Sequence, residues 1–211
     1  MIWHALATWR RDGAERAAIV VGDAIHDLDG AAAAHAPSLV GCSVNDLIAD
    51  WANAAPVVAA LAEALGACAA DVSRADLAAP FVPRRVFGAA SNYIEHAEEM
   101  QTKLAAKADS EPYAFLKTIE SVIGPEETVV IPPQVKRPDW EVELGVVIGH
   151  AGRDIAAADA FAHIAGYTIV NDVSARDKTR RTDFPFSHDW FRGKSFDTFT
   201  PIGPWFVPRD C

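Results

Sequence analysis

The stretch Asp139-Trp-Glu-Val-Glu-Leu-Gly-Val-Val-Ile-Gly149 alternates in the manner of a β-strand, and its polar side chains are acidic. Residues two apart in a strand point to the same face, so Glu141 and Glu143 lie side by side. The apolar residues between them point to the other face, where we expect them to pack in the core: Val142, Leu144, Val146 and Ile148. Two neighbouring acids repel each other, and a bound divalent cation removes that repulsion. The alternative is the solvated polar face of an edge strand.

Composition excludes several classes of function. The chain has 211 residues, 50% of them hydrophobic and 23% charged, with a formal net charge of -10. Such an acidic balance argues against sequence-independent binding to nucleic acid or to an anionic membrane. No apolar run is long enough to span a membrane, and the N-terminal residues do not have the order of a signal peptide. Three scattered cysteines indicate a reduced, cytoplasmic protein without a zinc site or a disulfide framework.

Residues 1–80 predict a small N-terminal domain of short strands and helices. The dipeptides Asp12-Gly13 and Gly22-Asp23 separate apolar runs and predict hairpin turns. Ser43 is a predicted helix N-cap, and Pro56 is placed as the first residue of the next helix.

A second part, residues 81–211, follows a stretch with two prolines and no clear periodicity, residues 75–83. A helix is predicted to begin at Asn92 or just before it, and it places His96 and Glu99 on one face. A carboxylate beside an imidazole is the usual arrangement for a general base that activates water. The alternative is an ordinary exposed pair of little energetic consequence.

Further candidates lie near predicted strands. Asp172 follows a predicted strand over residues 167–170, a position that holds a ligand rigidly at the mouth of a cavity; the alternative is a helix cap. Lys117 on an apolar strand is either a site residue or a side chain that extends to solvent. Residues 153–165 predict a helix stopped by Gly166. We expect the ends of two parallel strands to bring the carboxylates together.

Four segments of the second part, in this order, resemble the fumarylacetoacetate hydrolase superfamily. They are Asn92-Tyr93-x-x-His96-x-x-Glu99, Asp139-x-Glu141-x-Glu143-Leu144, Gly166-Tyr167-Thr168 leading into Asn171-Asp172-Val173-Ser174-Ala175-Arg176-Asp177, and Gly193-Lys194-Ser195-Phe196-Asp197-Thr198-Phe199-x-Pro201-x-Gly203-Pro204. The resemblance implies an α+β, strand-rich fold: a mixed β-sheet roll of the fumarylacetoacetate hydrolase type with a small N-terminal strand-and-helix domain. Members continue past residue 205 with more strands, so we expect part of the roll to be missing and apolar faces to be uncovered.

The resemblance also implies roles for single residues. It assigns one divalent metal, Mg²⁺ or else Mn²⁺ or Ca²⁺, to the carboxylates of Glu141, Glu143 and Asp172. The implied catalytic residues are His96, Glu99 and Lys194, and the implied substrate-binding residues are Arg176, Tyr93 and Lys117. Members similar to the animal hydrolase have a glutamine where this sequence has Thr179, and this departure leaves the substrate open.

The function implied by the resemblance is metal-dependent cleavage of a carbon–carbon bond in a small 1,3-dicarbonyl acid such as an acylpyruvate. Such a reaction belongs to the catabolism of aromatic compounds, and we expect a homodimer acting on a small oxo-acid. Decarboxylase, isomerase or lyase chemistry on related oxo-acids is the alternative. A third possibility is an inactive fragment that serves as a binding or oligomerisation module.

Overall fold

The computed structural model describes residues 2–90, 93–99 and 111–211, without the side chains of His96 and Glu99. The described strands are β1 (His4–Arg11), β2 (Ala14–Val21), β3 (Ala24–Asp27), β4 (Leu77–Ala78), β5 (Val86–Ala89), β6 (Ala114–Lys117), β7 (Val122–Ile123), β8 (Pro138–Asp139), β9 (Val142–Ile148), β10 (Ile164–Asn171), β11 (Ser174–Ala175), β12 (Thr200–Pro201) and β13 (Val207–Pro208). The described α-helices are α1 (Leu28–His35), α2 (Val44–Ala49), α3 (Trp51–Leu65), α4 (Ile94–Glu99), α5 (Arg176–Thr179) and α6 (Trp190–Lys194). Short 3₁₀ segments cover Pro37–Leu39, Arg74–Asp76, Ile119–Ser121 and Ala157–His163.

The strands form one four-stranded sheet, ordered β3-β2-β1-β4, one three-stranded sheet, ordered β13-β10-β9, and three two-stranded pairs. The pair of β7 with β12 is parallel, while the other pairings are antiparallel. The predicted α+β, strand-rich class with mixed pairing is confirmed. Among the described helices, none is both long and apolar enough to cross a membrane.

Local signals in the N-terminal part produce the expected turns and caps. Asp12 and Gly13 both have positive φ, 52° and 78°, which is the geometry of a two-residue hairpin turn between β1 and β2. Ser43 caps α2 in a capping box with Asp46, because the Ser43 Oγ accepts from the Asp46 N–H at 3.1 Å and the Ser43 N–H donates to Asp46 at 2.9 Å.

The predicted start of the next helix at Pro56 is wrong. Helix α3 begins at Trp51 and contains Pro56 in its interior. The carbonyl of Asp50 accepts hydrogen bonds from Asn53 and Ala54, both at 3.0 Å, so the first turn is complete before the proline is reached. The helix therefore loses a single interior hydrogen bond at Pro56, and the packing of its apolar face outweighs that loss.

The main apolar core contains residues from both halves of the chain. Leu6 of β1 and Val58 of α3 belong to the same buried cluster as Phe206, and all three are fully or almost fully buried. The Phe206 ring lies edge-on to Trp51, with centroids 4.9 Å apart, and Phe206 and Leu6 exchange two backbone hydrogen bonds of 2.8 Å. The domain boundary near residue 80 stays a prediction, and the core crosses it.

The predicted helix over residues 153–165 is also wrong. A 3₁₀ segment covers Ala157–His163, and β10 then begins at Ile164 and runs through Gly166. A Cβ at Gly166 would lie 2.2 Å from the carbonyl oxygen of Val207, so this glycine allows β13 to approach β10 closely. Gly166 therefore marks a tight strand pairing, although the sequence pattern alone resembles a helix stop.

The two faces of β9 are reversed relative to the prediction. Val142, Leu144, Val146 and Ile148 are 61%, 56%, 51% and 61% exposed among the described residues. The opposite face, which carries Glu143 and Gly145, is the more buried one. The prediction that these apolar side chains pack in the core is therefore wrong.

Candidate metal centre and active site

The site is built where the start of β9 meets the end of β10. These strands are antiparallel, with Val142 opposite Asn171, and the Asp172 N–H donates to the Glu141 carbonyl at 2.8 Å. Glu141 and Asp172 are therefore neighbours across the two strands, and Glu143 is the next residue on the same face. The expectation of two parallel strand ends is wrong, because one strand enters the site and the other leaves it.

The three predicted ligands converge. One carboxylate oxygen from each of Glu141, Glu143 and Asp172 lies within 4.8 Å of the other two. Hard cations bind oxygen at roughly 2.0–2.6 Å, so two oxygens on one ion are at most about 5 Å apart. The donor set consists of carboxylates alone, which suits Mg²⁺, Mn²⁺ or Ca²⁺ better than zinc. The carboxylates present thus fit a hard divalent metal.

Asp172 does not cap a helix, which was the alternative for this residue. It is 3% exposed, and the next helix, α5, has Ala175 at its N-cap position without a side-chain cap. The Asp172 carboxylate instead accepts hydrogen bonds from the ammonium groups of Lys117 and Lys194. A buried carboxylate with two charged donors is held in one orientation, as a metal ligand requires.

Lys117 does not extend to solvent, which was the alternative for that side chain. It is 4% exposed and donates to Asp172 and, at 2.8 Å, to the carbonyl of Phe199. Burial lowers the pKa of Lys117, and the charge of Asp172 opposes that shift. The lysine is therefore part of the site.

Lys194 bridges two of the three candidate metal ligands. Its ammonium donates to Glu141 Oε2 at 2.6 Å and to Asp172 Oδ2, and the residue is 3% exposed. Two of the three candidate metal ligands are thus bridged by one cation of the protein itself.

Arg176 contacts acids of the site. Its Nε donates to Asp139 Oδ2 at 2.9 Å, and its guanidinium forms an ion pair with Glu141. Asp177, the next residue, accepts from the backbone N–H groups of Lys136 and Arg137 at 3.1–3.2 Å. Burial would raise the pKa of Asp177, but these hydrogen bonds and that of Lys178 lower it to about 2. The segment before β8 is therefore tied to α5, which carries Arg176.

Glu143 is the carboxylate with the least compensation. In the described part of the chain it has no hydrogen-bond partner, while the oxygens of the other two ligands are engaged by lysine or arginine. Burial raises the pKa of Glu143, and the charge of Asp172 raises it further, against the opposing charge of Lys194. This carboxylate would gain most from a bound cation.

The predicted water-activating pair lies on a helix that the structure confirms. Helix α4 spans Ile94–Glu99, and Tyr93 before it is 46% exposed. The side chains of His96 and Glu99, and the residues at which the helix is predicted to begin, Ser91 and Asn92, lie outside the described residues. The roles of His96, Glu99 and Tyr93 stay predictions.

Thr179, where the resemblance implies a glutamine in members similar to the animal hydrolase, contacts α5 and α6. Thr179 is buried, its Oγ1 donates to the Arg176 carbonyl at 3.2 Å, and its methyl group lies where a Cβ at Gly193 would be only 2.2 Å away. Thr179 thus serves the close packing of α5 against α6, which carries Lys194.

The aromatic group beside Lys194 was not predicted from the sequence. The Lys194 ammonium lies 5.1 Å from the ring centroid of Phe115 and 5.9 Å from that of Trp190. A signal was present: Phe115 and Lys117 are two apart on β6, while Trp190 and Lys194 are four apart on α6, so each pair shares one face.

Comparison with known proteins agrees with this geometry. Residues 85–211 match the family model described as fumarylacetoacetate (FAA) hydrolase C-terminal. The human mitochondrial oxaloacetate tautomerase FAHD2A is 44% identical over 128 residues, which are 61% of this chain and 38% of the relative. The chain therefore matches well under half of that relative's length.

Two solved structures have the same fold. A fumarylacetoacetate hydrolase from psychrophilic Exiguobacterium antarcticum superposes with a TM-score of 0.71 and 26% identity, covering 98% of this chain and 67% of that one. A probable 2-hydroxyhepta-2,4-diene-1,7-dioate isomerase from Mycobacterium abscessus gives a TM-score of 0.68 and 26% identity, covering 97% and 64%. The fold that the resemblance implied is confirmed, and the chain belongs to the fumarylacetoacetate hydrolase family.

Proposed function

We propose that this chain carries the catalytic site of a divalent-metal-dependent enzyme that acts on a small 2-oxo acid by way of its enol or enolate. The observation that supports the proposal is the convergence of three carboxylates within 4.8 Å, two of them paired with buried or half-buried cations. Such a cluster offers both oxygen ligands for a metal and positive groups that can hold an anionic substrate.

Each residue has a chemical task in this proposal. Glu141, Glu143 and Asp172 would hold Mg²⁺, or else Mn²⁺ or Ca²⁺, which when bound supplies Lewis-acid stabilisation of negative charge on substrate oxygen. Arg176 attracts and orients a substrate carboxylate by paired hydrogen bonds. The ammonium of Lys194 stabilises the developing enolate oxygen and exchanges a proton with it. Lys117 holds the Asp172 carboxylate in place through its hydrogen bond.

Tautomerisation or isomerisation of an oxo-dicarboxylic acid is the first reaction in this proposal. It needs charge stabilisation and proton transfer, and both can come from described residues. The names of two similar proteins support it, since one is an oxaloacetate tautomerase and the other a probable diene-dioate isomerase.

Hydrolysis of a carbon–carbon bond in a 1,3-dicarbonyl acid of the acylpyruvate type is the second candidate. The similarity to a fumarylacetoacetate hydrolase supports it. It requires His96 with Glu99 to activate a water molecule. The homodimer, the place in aromatic catabolism and the cytoplasmic location remain proposals as well, and the human relative is described as mitochondrial.

The test is an assay of the 211-residue chain with Mg²⁺ and three substrates: the enol form of oxaloacetate, 2-hydroxyhepta-2,4-diene-1,7-dioate and an acylpyruvate in ¹⁸O-labelled water. We expect enzyme-dependent loss of the enol or diene absorbance without ¹⁸O in a product carboxylate. Incorporation of ¹⁸O into a product carboxylate would favour the hydrolase instead.

A matched pair of variants separates enzyme catalysis from catalysis by free metal. Glu141→Gln should abolish the activity, while Glu126→Gln, an exposed glutamate outside the cluster, should retain it. Equal activity of the two variants, or no activity of the unmodified chain on any substrate, would contradict the proposed function.

A further inference from the structure

The ammonium of Lys194 contacts two kinds of partner, carboxylates and aromatic rings. On one side its ammonium donates to Glu141 and Asp172, which are the candidate metal ligands. It also lies over the rings of Phe115 and Trp190, at 5.1 and 5.9 Å from their centroids. Both distances are within the range of a cation–π attraction.

The rings are built into the fold. A Cβ at Gly88 would lie 2.2 Å from the Phe115 ring, so this ring rests on the backbone of β5 in a place that only glycine leaves open. Phe115 stacks on Trp190 with centroids 5.9 Å apart at 22°, and His188 stacks on Trp190 at 5.5 Å and 8°. The aromatic surface beside Lys194 is therefore preorganised.

A divalent cation bound by the three carboxylates competes with Lys194 in the geometry described. The ammonium engages one oxygen each of Glu141 and Asp172, so a metal that takes the three carboxylates competes with it and repels it. Lys194 is 3% exposed, and moving a buried ammonium away from its partners is costly unless another partner is at hand.

We propose that Phe115 and Trp190 form a second position for the Lys194 ammonium: when a divalent metal binds and displaces it from the carboxylates, the ammonium moves closer to these rings. The inference rests on the proposed metal-dependent function. Phe115 and Trp190 act through Lys194 and are positioning residues. In this second position the ammonium stays near the carboxylates and can donate a hydrogen bond to the oxygen of an incoming substrate.

The rings should then affect metal affinity only while Lys194 is present. Without the rings, the ammonium stays at the carboxylates and competes more strongly with the metal. Without Lys194, there is no ammonium to move, so the rings should not affect metal affinity. This dependence distinguishes positioning of Lys194 from general support of the fold.

The experiment measures Mn²⁺ affinity of the 211-residue chain by the loss of the free-ion electron paramagnetic resonance signal. We expect Trp190→Leu to weaken binding by about tenfold, which corresponds to about 1.4 kcal/mol and lies within the range of a desolvated cation–π contact. Trp190→Phe keeps a ring and should bind within about twofold of the unmodified chain. Phe191→Leu, at the neighbouring exposed aromatic residue, is the control and should have no effect.

The decisive comparison uses Lys194→Met, which should bind Mn²⁺ more tightly than the unmodified chain. Adding Trp190→Leu to Lys194→Met should change nothing further. An equal loss of Mn²⁺ affinity from Trp190→Leu in both backgrounds, or no loss in the unmodified one, would overturn the second position of the ammonium. The metal site itself would not be contradicted. Absence of Mn²⁺ binding by the unmodified chain would overturn the proposed function and this inference together.

Discussion

Strand β9 is richer in apolar residues than β1, yet β1 is the more deeply buried of the two strands. The first six residues of β1 are buried on both faces, since one face belongs to the main core with the helices and the other to a second apolar cluster. In β9 the residues alternate between exposed and half-buried, and the exposed ones are apolar. The glutamates face the enclosed side. Charge at an interior face indicates a site, and hydrophobic alternation by itself does not decide which face is inside.

The two strands also differ in the interactions that stabilise them. In β1, stability comes from apolar area removed from water, and the cost of a change follows from the volume that is lost. Around β9, the acids are tolerated because Lys117, Lys194 and Arg176 neutralise them. Removal of one member of such a cluster leaves a buried charge without a partner, which is a different and often larger penalty.

The largest expected effect on stability is that of Asp172→Asn. It leaves the buried ammonium groups of Lys117 and Lys194 without their shared carboxylate, so the free energy of unfolding should fall by about 3–5 kcal/mol. Urea unfolding without added metal measures this loss. Asp197→Asn, a change at an exposed acid, is the control. A similar small change in the free energy of unfolding for both variants would contradict the charge-cluster account.

A second comparison separates the two strands directly. Leu6→Ala in β1 should lower the free energy of unfolding by about 2–5 kcal/mol because it opens a cavity in the main core. Leu144→Ala in β9 removes the same atoms from an exposed position, and the expected change is within about 0.5 kcal/mol. Equal losses for the two leucines would show that the apolar face of β9 is covered in solution.

The smallest and most specific effect concerns Glu143. Because its pKa is raised in the fold above the ordinary value of 4.5, its carboxylate charge opposes folding once the pH exceeds that value. Without metal, Glu143→Gln should therefore stabilise the chain at neutral pH, and the gain should vanish as the pH falls below about 4.5.

Saturating Mg²⁺ should reverse the sign of the Glu143→Gln effect, since the unmodified chain is then stabilised by a metal that the variant binds less well. Thermal unfolding at several pH values, with and without Mg²⁺, measures both effects. A variant that is less stable than the unmodified chain under metal-free, neutral conditions would contradict the electrostatic assignment.

Local chemistry explains what could be predicted from the sequence. The Asp12-Gly13 turn and the Ser43 cap depend on a few adjacent residues, so their patterns sufficed. The convergence of Glu141, Glu143 and Asp172 followed from strand alternation together with the family motifs.

Other features depend on residues distant in sequence. The sequence pattern at Gly166 predicts a helix stop. Its close approach to Val207 depends on the position of β13, which is distant in sequence. The burial of Lys117 depends on Asp172 and on the Phe199 carbonyl, far along the chain. The exposure of the apolar face of β9 is likewise a tertiary property, because periodicity gives two faces without saying which one is covered.

The central claim is that Glu141, Glu143 and Asp172 form one metal site, and isothermal titration calorimetry with Mg²⁺ and Mn²⁺ tests it most directly. We predict one ion per chain, affinity reduced by about 10- to 100-fold in Glu141→Gln, and unchanged affinity in Glu126→Gln. Absence of binding, or equal affinity in the two variants, would contradict the claim.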